Sequence, residues 1–172
     1  MRSWLKFRLL SAHIQCPIKP IACQDCKTMP FSLDKQLEAD SLFVTSYDDI
    51  QIRVMNDARY VWVLLVPEIA DMTELHDLSP DKQQILLQLA ASIGAGIKTT
   101  PMPNLPAITK INTALIGNIV SQLHLHIVGR HPDDAAWPAP VWGMGSAIKL
   151  DENATNHRRQ LIHKIMDAFQ EN

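Results

Sequence analysis

Gly117-Asn118-Ile119-Val120-Ser121-Gln122-Leu123-His124-Leu125-His126-Ile127-Val128-Gly129-Arg130 is the stretch whose reading decides the fold. Read with period two it is a strand: Leu123, Leu125 and Ile127 share one face, and Gln122, His124 and His126 share the other. The apolar set requires a core. The polar set makes a row of ring and amide groups about 7 Å apart at every second residue. Gly117-Asn118 upstream is a turn signal that brings the chain in sharply and leaves backbone N–H groups free to meet an anion.

Three chemistries suit such a row. The plainest is a pair of hydrogen-bonded histidines on a half-exposed sheet face. Metal binding is another, since His-x-His on a strand aims two imidazoles at one point, and His131 lies close enough in sequence to join them. The remaining one is a nucleophilic histidine attacking phosphorus while its neighbours orient it and bind the phosphate. Spacing alone does not separate the last two.

Outward from the strand, the chain reads as alternating strands with two helices. Ser41–Thr45 and Ile50–Met55 form a strand pair around an Asp48-Asp49 turn, with Asn56–Arg59 as the loop that follows. Tyr60–Val66 is almost wholly apolar, as a central strand buried on both faces would be. Asp71–Leu78 is a connector with room for one helical turn. Ser79-Pro80-Asp81 starts a helix with N-cap, first-position proline and first-turn acid, and Ile85, Leu86, Leu89 and Ile93 form its stripe. That stripe is expected to cover the sheet face receiving Leu123, Leu125 and Ile127. Pro106–Thr113 reads as a further strand, His131–Asp134 opens a loop rich in Pro and Trp, and Thr155–Gln170 is an amphipathic helix.

The 172 residues suit one domain with a sizeable core. Sixteen basic against eighteen acidic residues leave a charge of −2, and no Lys/Arg cluster offers a nucleic-acid track, so a small nucleotide is the better anionic partner. No apolar run approaches a membrane span. The three cysteines, Cys16, Cys23 and Cys26, all precede residue 27, which suits a reducing cytoplasm. Residues 1–28 read as an extension, disordered or preceding a natural start at Met29, and residues 29–172 as the single folded domain. Cys23-Gln24-Asp25-Cys26 is half a zinc pattern with only Cys16 and His13 nearby, so zinc there is the lesser reading.

Gln122-Leu123-His124-Leu125-His126-Ile127-Val128 resembles the His-x-His-x-His signature of the histidine triad (HIT) superfamily, with Gln in the first place. The resemblance extends to Asn112, the Gly117-Asn118 turn, Arg130, and Met55-Asn56-Asp57 with Trp62–Pro67 as the nucleoside-contacting strand pair. Ala136–Gly143 is similar to the tail of a bacterial HIT branch, so the likeness spans roughly Phe31 to Gly143. It implies an α+β fold: a mainly antiparallel five-stranded sheet, a long helix packed on one face, and here an added C-terminal helix. It also implies a homodimer.

For the chemistry, the resemblance implies that His124 attacks the α-phosphorus of a nucleoside phosphate conjugate, a dinucleoside polyphosphate or similar. A nucleotidyl-histidine forms and water opens it. The activity expected is that of a nucleotide hydrolase or nucleotidyl transferase. A backbone carbonyl at or next to Gln122 is expected to accept from one ring nitrogen while the other attacks. His126, Gln122, Asn112 and Asn118 are expected at the phosphate or leaving group, and Asn56 and Asp57 at the ribose hydroxyls. No cofactor is required, and magnesium enters only as the counter-ion of a polyphosphate.

Two departures from the family pattern stand out. Gln122 can orient and donate but cannot carry a proton, which keeps open the alternative of a nucleotide-binding module with little turnover. Ile119 stands where phosphoramidate-cleaving relatives carry a hydroxyl. Trp137 and Trp142 are expected to pack against the C-terminal helix or a second subunit more than to wall the site.

Overall fold

A computed structural model describes residues 30–171, so Cys16, Cys23, Cys26 and Met29 lie outside the described residues. Strands β1 (Ser41–Tyr47), β2 (Ile50–Met55), β3 (Val61–Pro67), β4 (Lys110–Ala114) and β5 (Leu125–Arg130) form one antiparallel sheet in the order β1-β2-β3-β5-β4. The long helix is α2 (Pro80–Thr99) and the C-terminal helix is α3 (Glu152–Gln170). This is the α+β architecture that the sequence led us to expect. The β1–β2 hairpin turns on Asp48 and Asp49, both left-handed at φ 48° and 58°, the turn that matches the twist of paired strands.

The central strand explains the layering. Along β3 and the residue before it, Val61, Val63 and Leu65 enter one core, while Tyr60, Trp62, Leu64 and Val66 enter another. A continuous apolar run thus serves two cores through strict alternation. The first core packs Leu86, Leu89, Ile93 and Ile97 of α2 and Leu161, Ile162, Ile165 and Met166 of α3 against the sheet. Leu123, Leu125 and Ile127 enter that same core, as their alternation predicts. Helix α2 starts at the Ser79 cap, whose side chain accepts from the Lys82 amide.

The opposite face is covered by elements the sequence pattern does not announce. A short helix, α1 (Lys35–Asp40), lays Leu37 on Trp62, Leu64 and Val66, and a loop brings Ala136, Val141 and Trp142 to the same cluster. At six residues α1 is too short to show a helical period, and only its Asp34 cap is a local signal. Two strand boundaries also shift. β5 begins at Leu125, so Gln122–His124 lie just before it, although Leu123 still enters the core and His124 the opposite face. β4 begins at Lys110, four residues after the Pro106 start expected from the sequence.

Candidate active site

His124 and His126 lie side by side on the face away from the two long helices, ring centroids 4.7 Å apart, each 6% exposed. The chain enters this strand through Gly117, whose φ of +62° is left-handed and suits a residue without Cβ. Nδ1 of His124 lies 2.7 Å from the backbone carbonyl of Gln122. A carbonyl only accepts, so Nδ1 carries the proton and Nε2 keeps its lone pair. The carbonyl expected at or next to Gln122 is therefore that of Gln122 itself.

The tautomer of His126 is set from the other side. Trp62 Nε1, a donor only, donates to His126 Nδ1 at 3.0 Å. A neutral His126 then carries its proton on Nε2. Burial, with the neighbouring His124 as a smaller contribution, pushes its pKa down to about 3, so the ring stays an uncharged N–H donor near neutral pH. Trp142 completes this cluster, 5.4 Å from His126 and 5.9 Å from Trp62 between ring centroids. Within the chain Trp142 thus walls the histidine pair rather than packing on the C-terminal helix. Trp137 stays 40% exposed and stacks its ring on Arg130 instead.

Two cavities meet at His124. The larger, about 400 Å³, is mostly apolar and is walled by Leu37, Met55, Trp62, Leu64, Val120 and Trp142, with Gln36 and Asp40 of α1 at its edge. The smaller, about 280 Å³, mixes polar and apolar surface about equally, with Thr73, Glu74, Asn118, Ser121 and Gln122 beside Leu115, Ile116 and Leu123. Ile116, Gly117, Asn118 and His124 belong to both. Asn118 therefore lines the same two cavities as His124. The hydroxyl that Ile119 does not supply is present two residues on, at Ser121 in the smaller cavity.

Other expected contacts are spent elsewhere. The Gln122 side chain borders the smaller cavity, yet its Oε1 accepts from the Asp34 amide and its Nε2 donates to the Ser32 carbonyl, both at 2.9 Å. It straps the segment leading into α1 rather than facing a ligand with a free amide. Asn112 lines neither cavity: its Oδ1 accepts from Arg130 Nη1 at 2.8 Å, beside the buried Arg130–Asp134 pair. Asn56 and Asp57 also line neither cavity. Asn56 Oδ1 accepts from the Leu150 amide. Asp57 is ion-paired to Arg59 at 2.6 Å and accepts from the Ile148 amide, so both residues pin the segment before α3. Met55, just before them, is the residue of this run that reaches the larger cavity.

Sequence reasoning missed Glu74, Ser121, Gln36 and Asp40, and weighted Trp142 toward packing. Trp62 alone left a usable trace. In the antiparallel register Trp62 faces Val128 and Leu64 faces His126, so Trp62 is the diagonal neighbour of His126 on one face. Among the described residues no three His, Cys, Asp or Glu side chains converge as metal ligands, so His124, His126 and His131 do not form the set that the metal reading needs.

Comparison with known proteins fits this geometry. The family model described as HIT domain matches residues 36–133. A histidine triad protein of Sinorhizobium meliloti 1021 is 36% identical, with a TM-score of 0.72 over 78% of this chain and 96% of that one. One from Bradyrhizobium japonicum is 31% identical, with a TM-score of 0.72 over 79% of this chain and 98% of that one. One from Marinobacter aquaeolei VT8 is 30% identical, with a TM-score of 0.74 over 81% and 98%. No curated protein sequence matches the chain.

Proposed function

The chain belongs to the histidine triad (HIT) family, and from that premise we propose that it is a nucleotide hydrolase or nucleotidyl transferase working through a covalent bond from phosphorus to His124. The observation that carries this reading is the His124–Gln122 hydrogen bond. It leaves Nε2 of a buried imidazole with a lone pair at the junction of two cavities. The larger cavity suits a nucleoside, whose base is flat and apolar on its faces and matches Trp62, Trp142 and Met55. The smaller cavity suits the leaving group.

In the proposed step Nε2 attacks the α-phosphorus, and the bond to the leaving group breaks with its electron pair going to that group. The ring becomes positively charged, and the Gln122 carbonyl bonded to Nδ1–H stabilises it. His126 Nε2–H and Asn118 are positioned to donate to the phosphate oxygens as negative charge builds there. Water then attacks the same phosphorus and the P–N bond breaks. Over the cycle one water is consumed: its hydroxyl ends on phosphorus and its proton balances the departing group.

A panel of adenylyl and guanylyl conjugates read by mass spectrometry tests the activity. His124→Asn should lower kcat by several orders of magnitude while nucleotide affinity falls little, and intact-protein mass should show a nucleotidyl adduct on the wild type alone. Near-normal turnover by His124→Asn would overturn the covalent reading. A companion reading, a nucleotide-binding module with little turnover, is favoured by one feature: both polar atoms of the Gln122 amide are hydrogen-bonded to residues 32 and 34. It predicts binding of the panel with no product.

A further inference from the structure

Gln122 departs from the family pattern, and its two polar atoms do something that a histidine there could not. Oε1 accepts from the Asp34 amide and Nε2 donates to the Ser32 carbonyl, both at 2.9 Å. Those two main-chain groups flank Leu33, and a neighbouring strand would pair them in the same way. A primary amide carries its donor and its acceptor side by side on one carbon. An imidazole carries its nitrogens on diverging edges of the ring and, when neutral, has a single N–H.

The segment so held is the entry to α1. Asp34 caps that helix, its Oδ1 accepting from the Gln36 amide at 2.8 Å. The far end of α1 is fastened separately. Ser41 Oγ donates to the Leu37 carbonyl, buried Arg53 donates from Nε to Ser41 Oγ at 2.8 Å, and the Asn56 amide donates to the Asp40 carbonyl. Between the two fastenings Leu37, 5% exposed, walls the larger cavity beside Trp62 and Leu64. Phe31 and Leu33 pack half-buried onto the same cluster. Among the described residues, Gln122 is the one side chain outside this segment that hydrogen-bonds residues 30–34.

We propose that Gln122 is a positioning residue for the nucleoside: its amide fixes α1, and with it the Leu37 wall of the larger cavity, while its carbonyl fixes the ring of His124. The inference rests on the reading of the larger cavity as the nucleoside site. One residue refers both the wall and the attacking nitrogen to the same point of the backbone, which sets how the bound nucleoside meets His124 Nε2. The two roles separate on substitution. Any side chain at this position leaves the carbonyl bonded to His124, so the chemical step survives. Only a side chain with a donor and an acceptor in reach holds the wall, so nucleotide affinity does not.

Calorimetric binding of adenosine and guanosine 5′-monophosphate to wild type, Gln122→Ala and Gln122→Glu tests this, with hydrogen–deuterium exchange on the same proteins. Gln122→Ala should raise Kd about fivefold. It should also speed exchange of amides 34–40 about tenfold, while the β3 amides of Val63 and Leu65 keep their rates. Gln122→Glu keeps the acceptor for the Asp34 amide but turns a carboxylate oxygen toward the Ser32 carbonyl. It should weaken binding in the same direction, and it carries the test should Gln122→Ala not fold. On the conjugate panel KM should rise by the same factor while kcat stays within about twofold. Unchanged affinity, or a loss confined to kcat, overturns the proposal and leaves the His124 chemistry standing. Weaker binding with unchanged exchange also overturns it, since Gln122 would then meet the ligand itself. No binding of either nucleotide by the wild type overturns the nucleoside reading and this inference together.

Discussion

Each of the two histidines at the centre of the site has its proton placed by a partner that plays only one hydrogen-bonding role. The Gln122 carbonyl can only accept and the Trp62 indole can only donate, so His124 offers a lone pair and His126 offers a proton. Replacing Trp62 by Phe keeps the aromatic wall and removes the donor. The proton of His126 can then occupy either nitrogen, and kcat/KM should fall by about tenfold, roughly 1.4 kcal/mol. An unchanged rate would show that the tautomer of His126 does not matter. Gln122 is tested differently, because it is the carbonyl and not the amide that touches His124. Gln122→His should change kcat/KM by less than about tenfold and add no limb near neutral pH to the rate profile. A gain of ~10² with a new limb would mean that this position carries a proton in the reaction.

At the scale of elements, the site is built by short pieces held onto a rigid sheet. The loop after β5 is tied back by Arg130 and Asp134, both essentially without exposure. Two guanidinium bonds of 2.7 and 2.9 Å join the pair, and Arg130 also donates to the Ala139 carbonyl. Asp134 further accepts from the amide of Ala136, which keeps the loop carrying Trp142 against the histidines. Asp134→Ala leaves a buried, unpaired guanidinium, so urea unfolding should show a loss of about 3–5 kcal/mol. A loss below about 1 kcal/mol would mean that the loop finds another anchor. On the far face, α2 and α3 meet closely at Gly96, where an added Cβ would overlap Ile165. That contact helps explain why a glycine is tolerated inside a helix of 20 residues, despite its cost to helix propensity.

Over the whole molecule, burial of His126 links folding to pH. The folded ring stays neutral down to about 3, whereas in the unfolded chain it titrates near 6.5. Between those values the unfolded state binds the extra proton, so this residue lowers stability as pH falls from about 6.5 toward 3, by up to ~1.4 kcal/mol per pH unit. Asp134 and Asp57 act further into acid. Burial raises each carboxyl, but the bonds from Arg130 with nearby amides, and from Arg59 with the Ile148 amide, outweigh it and hold both below the ordinary 3.8. Their contribution is present above that value and is lost as pH falls through the depressed one. His126→Asn keeps an acceptor for Trp62 and removes the titrating ring. Its stability curve should therefore be flatter than the wild type's between pH 6 and about 4, and parallel slopes there would refute the linkage.

What the sequence determined by itself was whatever repeats locally. Alternation from Leu123 to Ile127 assigned one face to the core and one to the histidines, the unbroken apolar run of β3 marked the centre of the sheet, and Ser79-Pro80 placed the start of α2. The pattern Gln-x-His-x-His pointed to the family that the comparisons then established, since residues two apart on a strand share a face in any fold. Only the tertiary structure decided where the remaining polar groups are spent. An Asn-Asp pair after a strand looks the same in sequence whether it meets a ribose or the amides of Ile148 and Leu150, and here it meets the amides. Gln122 could equally face a ligand or, as found, hold a segment some 90 positions earlier in the chain. Helix α1, Glu74 and Ser121 carry no periodic signal at all. Hydrogen-bond partners across such separations are chosen by how the layers close, and no local rule contains that information.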